Sequence, residues 1–318
     1  MKQKALIAAK VAVSIVLLAY LLSGTNLGTL HERVRNGDTI LLFVAVLLYT
    51  AFLGLSMWRW RLLLNAQGFA APLRRLGASY MVATFFNNFL PSNIGGDVIR
   101  VRDGSQLTGS TTTSLAIVAI DRILGLGALY VIALGAWLAA PSLRGLAGAT
   151  PVLALMGAVF LVLAYVFFRP GTARRLMGLL RLNSFTWVRE TFETVQGAVH
   201  VYRNRMGAVW GAFGCSLALQ ALIVLFFWDV ARSLDIPLPL TTTFLMVPLC
   251  SLVQTVPVSF NGWGIRESVY ILFFRQVGLP RESALAFSLA GAGLMALLSL
   301  PGAIVWSSRA GRLGEARD

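Results

Sequence analysis

Apolar runs of bilayer-spanning length recur along this sequence, and they leave the chain few ways to fold. The runs at 6–22, 39–57, 107–139, 151–168, 206–231 and 284–306 approach or exceed the ~20 residues a helix needs to cross the hydrocarbon. In lipid, backbone N–H and C=O groups must be satisfied within the spanning element, so such runs become helices. Of the 318 residues, 57% are hydrophobic and 13% charged, which leaves no segment polar and long enough for a separate soluble catalytic domain. The expected fold is an all-α polytopic membrane protein, with residues 1–318 as one integral membrane domain. About six full transmembrane helices account for the runs. The first run follows Met1-Lys2-Gln3-Lys4, and no small-x-small cleavage site is evident after it, so an uncleaved first span is expected.

Two stretches interrupt the pattern. One is Asn87-Asn88-Phe89-Leu90-Pro91-Ser92-Asn93-Ile94-Gly95-Gly96-Asp97, and the other is Pro257-Val258-Ser259-Phe260-Asn261-Gly262-Trp263-Gly264-Ile265-Arg266-Glu267. Each sets Pro, Ser, Asn and two Gly before an acidic residue. Proline removes a donor and glycine is a poor helix former, so neither stretch continues a helix. Broken backbone at membrane depth is tolerated only where protein or a water-filled cavity covers it.

Charge sets the expected orientation. Net charge is +14, spread over short loops. This is the positive-inside pattern, with attraction to anionic lipid surfaces added to it; nucleic-acid binding is not expected. Most of the 27 basic residues fall on one side if both termini are cytoplasmic. That arrangement requires residues 76–105 to enter and return on the same side as a re-entrant hairpin, since a full crossing would move the basic segment 169–205 outside. In the same scheme Trp58-Arg59-Trp60-Arg61 reads as an interface anchor with its arginines toward the cytoplasm, and Asp229 as an interface residue. Segment 169–205 interleaves arginines with Leu, Phe and Trp, as an amphipathic element on the cytoplasmic surface does. Residues 240–278 form the second hairpin. Two spans, a hairpin and a span then occur twice in opposite orientation, over 1–139 and 151–306. That is the layout of an inverted repeat, which transporters use to place a site near the midplane.

The chemistry these stretches offer is anion recognition. Helices starting after Gly96 and Gly264 would aim positive N-terminal ends into the cavity, and Arg266 could add a bidentate contact to a phosphate. Asn87, Asn88, Ser92, Asn93, Ser259 and Asn261 could bind headgroup hydroxyls or simply satisfy broken backbone. Pro91, Gly95, Gly96, Gly262 and Gly264 shape the breaks. Asp97 and Glu267 could bind an amine, hold a proton, or neutralise Arg266. Arg100 follows the first break, and Asp121-Arg122 lies inside a span. Adjacent helical residues do not face each other, so Asp121 and Arg122 should each find another partner. Cys215 and Cys250 lie in apolar runs, and His31 and His200 have no Cys or His companions, so no metal site, disulfide or cofactor is expected. A His- or Cys-based nucleophile pair is missing from the motifs, which favours a transporter over an enzyme; a lone carboxylate base keeps an enzyme in view.

The run from Asn87 through Arg100, then Asp121-Arg122, then Pro257 through Glu267, resembles the lysylphosphatidylglycerol synthase transmembrane-region family, also described as flippase-like. The resemblance reaches from the second span to the last. It implies translocation of a phospholipid or lipid-linked intermediate across a bacterial inner membrane, on a substrate with a phosphate headgroup. Some members add a soluble aminoacyl-transferase domain; this sequence shows none, so lipid aminoacylation is not inherited. Two rivals remain: a membrane-embedded transferase on a polyprenyl or phospholipid headgroup, and a non-catalytic subunit of a cell-envelope lipid enzyme. Homo-oligomers and envelope-enzyme partners fit the class.

Overall fold

A computed structural model describes residues 36–89, 95–145, 148–168, 197, 199–255 and 262–315. The expected first span (6–22), most of segment 169–205, and motif residues Pro91, Ser92, Asn93, Ser259 and Asn261 lie outside the described residues. Every described regular element is helical. In chain order these are α1 (Thr39–Ala66), α2 (Leu73–Phe89), α3 (Gly95–Thr108), α4 (Thr111–Ala139), α5 (Ala149–Phe168), α6 (Met206–Ser233), α7 (Leu240–Gln254), α8 (Ile265–Gln276), α9 (Arg281–Ser299) and α10 (Pro301–Glu315), with a short 3-10 turn at Pro141–Gly145.

Four helical stretches are long and apolar enough to cross a bilayer: α1, α4, α6, and α9 with α10 as Arg281–Arg309. The apolar stretches Ala149–Val162 and Leu240–Gln254 are shorter.

The helix ends follow local chemistry. Asp38 caps α1 by accepting from the N–H groups of Ile40 and Leu41 at 2.8 and 3.3 Å. Gly109, at φ +70°, ends the α3 segment, and Ser110 caps α4 by accepting from the Thr113 N–H at 3.2 Å. The span expected to start at 107 therefore starts at Thr111, because this glycine turn separates it from α3. α1 likewise runs nine residues past its expected end at 57, since Trp58 through Ala66 holds no Gly or Pro to stop it.

α1 and α6 lie antiparallel. The Asp38 N–H donates to the Ser233 carbonyl at one end, and Arg59 meets Ser216 nearer the other. Tyr49 packs on Phe226 between them, ring centroids 5.7 Å apart. From there an aromatic core runs through Phe227, Tyr270, Phe274 and Phe287, joining α6, α8 and α9. A second core gathers Trp60, Leu63, Leu64, Ile117 and Tyr202, with the Tyr202 hydroxyl donating to the Leu63 carbonyl at 2.9 Å. Small residues let helices approach where these cores thin. A Cβ at Gly302 would run into the Met81 carbonyl, so α10 lies directly on α2.

Both interrupted stretches fold as helix, break, helix. α2 and α3 pack antiparallel: Gly96 abuts Ala83, and one turn further on the Arg100 guanidinium sits over the Tyr80 ring. α7 and α8 do the same, with Gly262 against Gln254 and the Arg266 carbonyl near Cys250.

Candidate functional site

The first break is tied by an amide. The Asn87 side-chain oxygen accepts the Gly96 N–H at 2.7 Å, which joins the last turn of α2 to the first of α3. Glycine is required there, because a Cβ would collide with the Ala83 carbonyl and lie 2.6 Å from Asn87 Oδ1. Asn88 donates to the Thr84 carbonyl at 3.1 Å and also hydrogen-bonds Tyr49 on α1. Gly95 is buried at the start of α3.

Beyond the break lies a buried charge network spanning four helices. Asp121 on α4, 1% exposed, is its centre. One carboxylate oxygen meets Arg59 Nε at 2.7 Å; the other accepts from an Arg59 terminal nitrogen at 3.0 Å and pairs with Arg100 at 2.9 Å. Arg59 also donates to Ser216 Oγ on α6 at 2.9 Å. Asp97, in the first turn of α3, pairs with Arg122 Nε at 2.6 Å and lies 3.6 Å from Arg100. The Arg100 guanidinium is held between the Trp60 and Tyr80 rings, 4.8 and 5.3 Å from their centroids. Asp121 and Arg122 do find separate partners, as their helical spacing requires.

Arg59 was expected at the interface, and the structure turns it inward. The extension of α1 sets Ser56, Arg59, Trp60, Leu63 and Leu64 on one buried stripe, while Trp58 and Arg61 face outward and stack on each other. Spacing at i, i+3, i+4, i+7 and i+8 was the available signal, provided the helix is carried through Trp60. Asp229, read as an interface residue near a span end, is buried within the protein, at 4% exposed.

The second break builds a smaller cluster. Gly262 and Gly264 take φ of +76° and +84°, a region that strains any L side chain. The Gly264 N–H donates to Glu267 Oε2 at 2.6 Å, so the carboxylate folds back over the start of α8. Its other oxygen accepts from Arg266 at 2.6 and 3.0 Å and from the Ser288 hydroxyl at 2.8 Å. Arg266 Nε also reaches Ser288 Oγ at 2.9 Å, and the guanidinium lies 4.6 Å from the centroid of the Trp263 ring. The neighbours Arg266 and Glu267 pair because Glu267 is turned back to the helix start, which the spacing rule for continuous helices does not cover. Of the roles considered for Glu267, this geometry displays neutralisation of Arg266. Ser288 on α9 had no distinguishing sequence signal; it is a serine in a run of small residues.

Helices of spanning length, two broken hairpins and ionisable side chains buried at their second helices define a polytopic helical membrane protein. The family model described as lysylphosphatidylglycerol synthase TM region matches residues 7–302, and the chain belongs to that family. A search of curated proteins finds no match. Membership places the protein in membrane lipid and cell-envelope biology.

Proposed function

We propose that the protein is a flippase-like translocator that moves a phospholipid or lipid-linked intermediate across the bacterial inner membrane, with both termini cytoplasmic. The observation that carries this reading is the pair of broken hairpins, each with charged side chains at the start of its second helix. Intramembrane ionisable groups are costly and characteristically mark pathways for polar cargo. Backbone broken at membrane depth needs a protein or aqueous lining, which suits the passage of a headgroup. In this reading both hairpins are re-entrant, and the Asn, Ser and Gly positions of the two motifs border the headgroup route. The test is reconstitution into vesicles containing fluorescent-headgroup phospholipids, with dithionite quenching from outside. An active translocator lets quenching proceed beyond the outer-leaflet half of the label. A quenching plateau identical to that of protein-free vesicles, across anionic, zwitterionic and polyprenyl-phosphate lipids, rejects it.

A further inference from the structure

A cavity of about 410 Å³ opens at the end of the first hairpin far from its break. Its walls include Trp60 from α1, Arg75 and Ser79 from α2, Arg102 from α3, and Trp306 and Arg309 from α10. Asp103 is the one acidic residue lining it among the described residues, and it is already paired with Arg309 at 2.8 Å. Arg102 stacks on Trp306 at 5.8 Å from the ring centroid. Neither Arg75 nor Arg102 pairs with a carboxylate among the described residues, so the cavity keeps an excess of positive charge. Arginines at the ends of spanning helices ordinarily extend into water. Two features separate these from that case. Ser79, one of the lining residues, is 2% exposed, and its hydroxyl has no hydrogen-bond partner among the described residues. A buried donor without a partner is costly unless a ligand or water completes it. Two indoles also give the cavity apolar walls, which strengthen charge-assisted contacts by excluding water.

We propose that this cavity receives a phosphate group, carried by a lipid or free, held by Arg75 and Arg102 with the Ser79 hydroxyl as a third donor. Guanidinium forks match phosphate oxygens in pairs, and a hydroxyl fills a remaining lone pair. The cavity volume lies in the range of small-ligand sites. This deepens the translocator reading, on which it rests for its biological role: the site lies at the end of the bundle where Arg61, Arg74 and Arg75 gather, the end the positive-inside rule assigns to the cytoplasm. A headgroup would dock there before reaching the breaks.

Calorimetric titration of the full-length protein in an uncharged maltoside detergent tests it. The probes are dihexanoyl-phosphatidylglycerol, glycerol 3-phosphate, inorganic phosphate, and dihexanoyl-glycerol as the phosphate-free control. The phosphate probes should give saturable heat that the control lacks. Arg75→Gln and Arg102→Gln should each weaken binding about tenfold, the loss of one charge-assisted contact. Both arginines are exposed, so the variants should fold. Preference for the lipid over inorganic phosphate supports a lipid carrier; equal binding supports a phosphate site blind to its carrier. Wild-type affinity in the double variant, binding of the phosphate-free control, or no saturable heat at millimolar phosphate overturns the proposal. Binding without translocation would sink the translocator reading alone, and translocation by a double variant that no longer binds would sink the pocket's role alone.

Discussion

Replacing Asp121 with Asn tests the buried network directly. The substitution keeps the side chain's size and removes its charge. It leaves Arg59 and Arg100, 8% and 4% exposed, facing an amide that offers one acceptor in place of two charged oxygens. Arg59 contacts both oxygens of the carboxylate and shares one of them with Arg100, at 3.0 and 2.9 Å, so their nearest nitrogens lie within about 6 Å of each other. At an effective dielectric constant of about 20, their unscreened repulsion is roughly 3 kcal/mol. Loss of the charge-assisted hydrogen bonds adds to it, and the residual amide contacts offset part. The expected cost is about 3–5 kcal/mol, the range for breaking a buried pair by removing one partner. Arg122→Gln is the internal control from the next residue. Its side chain is 48% exposed, so its 2.6 Å pair with Asp97 is solvent-screened and worth about 1 kcal/mol or less. Unfolding in mixed micelles of maltoside and dodecyl sulfate, followed by tryptophan fluorescence, measures both. A loss below about 1 kcal/mol for Asp121→Asn, or equal losses for the two variants, would show that the network is solvated and would refute the argument.

Gly96→Val should disrupt the closure of the first hairpin, because the added atoms meet the Ala83 carbonyl and Asn87; a cost above about 2 kcal/mol in the same unfolding assay is expected, and a neutral result would contradict the close approach. Arg266→Gln strands the buried Glu267 carboxylate, so it should destabilise by about 3 kcal/mol or more, and Arg266→Gln with Glu267→Gln should recover part of that loss. Failure of the double variant to recover would mean that the pair is not what makes Arg266 necessary. Translocation at wild-type rate by Arg266→Lys, which loses the planar fork, would remove Arg266 from phosphate recognition. Cysteines introduced near Lys4 and Arg312 in a background lacking Cys215 and Cys250 should resist an impermeant reagent applied to intact cells; labelling of either site rejects cytoplasmic termini.

The helical class and the positions of both breaks were legible because lipid permits few alternatives and because Pro and Gly interrupt apolar runs visibly. Asp97, Asp121 and Arg122 could be picked out for the cost of their charge and Arg100 for following the first break, and Asp121 and Arg122 find separate partners as predicted. What stayed hidden was pairing across helices. Arg59 sits among tryptophans beside other arginines, so its local sequence reads as an interface, and only the continued helical stripe from Ser56 to Leu64 turns it inward. The cavity was hidden for the same reason: Arg75, Arg102 and Arg309 are ordinary loop-end arginines until α2, α3 and α10 bring them together.

The placement of the ion pairs constrains how such a bundle could move a headgroup. α3 is fastened to α4 by Asp97 to Arg122 and by Arg100 to Asp121, and through Asp121 to α1. α8 is fastened to α9 by Arg266 and Glu267 on Ser288. A cycle that pulled α3 from α4 would separate the buried Arg100 and Asp121 in a low-dielectric interior, at about 3–5 kcal/mol, with the screened Asp97–Arg122 pair adding little. Pulling α8 from α9 would strand the shared Ser288 contacts as well. The second helix of each hairpin is therefore the fixed part. The helices that bear on it through small residues and rings are cheaper to displace: α10 meets α2 through Gly302 and through Trp306 edge-on to Phe86 at 5.1 Å, with no charge to separate. Among the described residues, the one ion pair that ties α10 to the hairpin, Arg309 to Asp103, is partly exposed and so weakly held. Movement that opens a path from the arginine-lined cavity toward the first break would then run along α10, with α3 and α8 standing still.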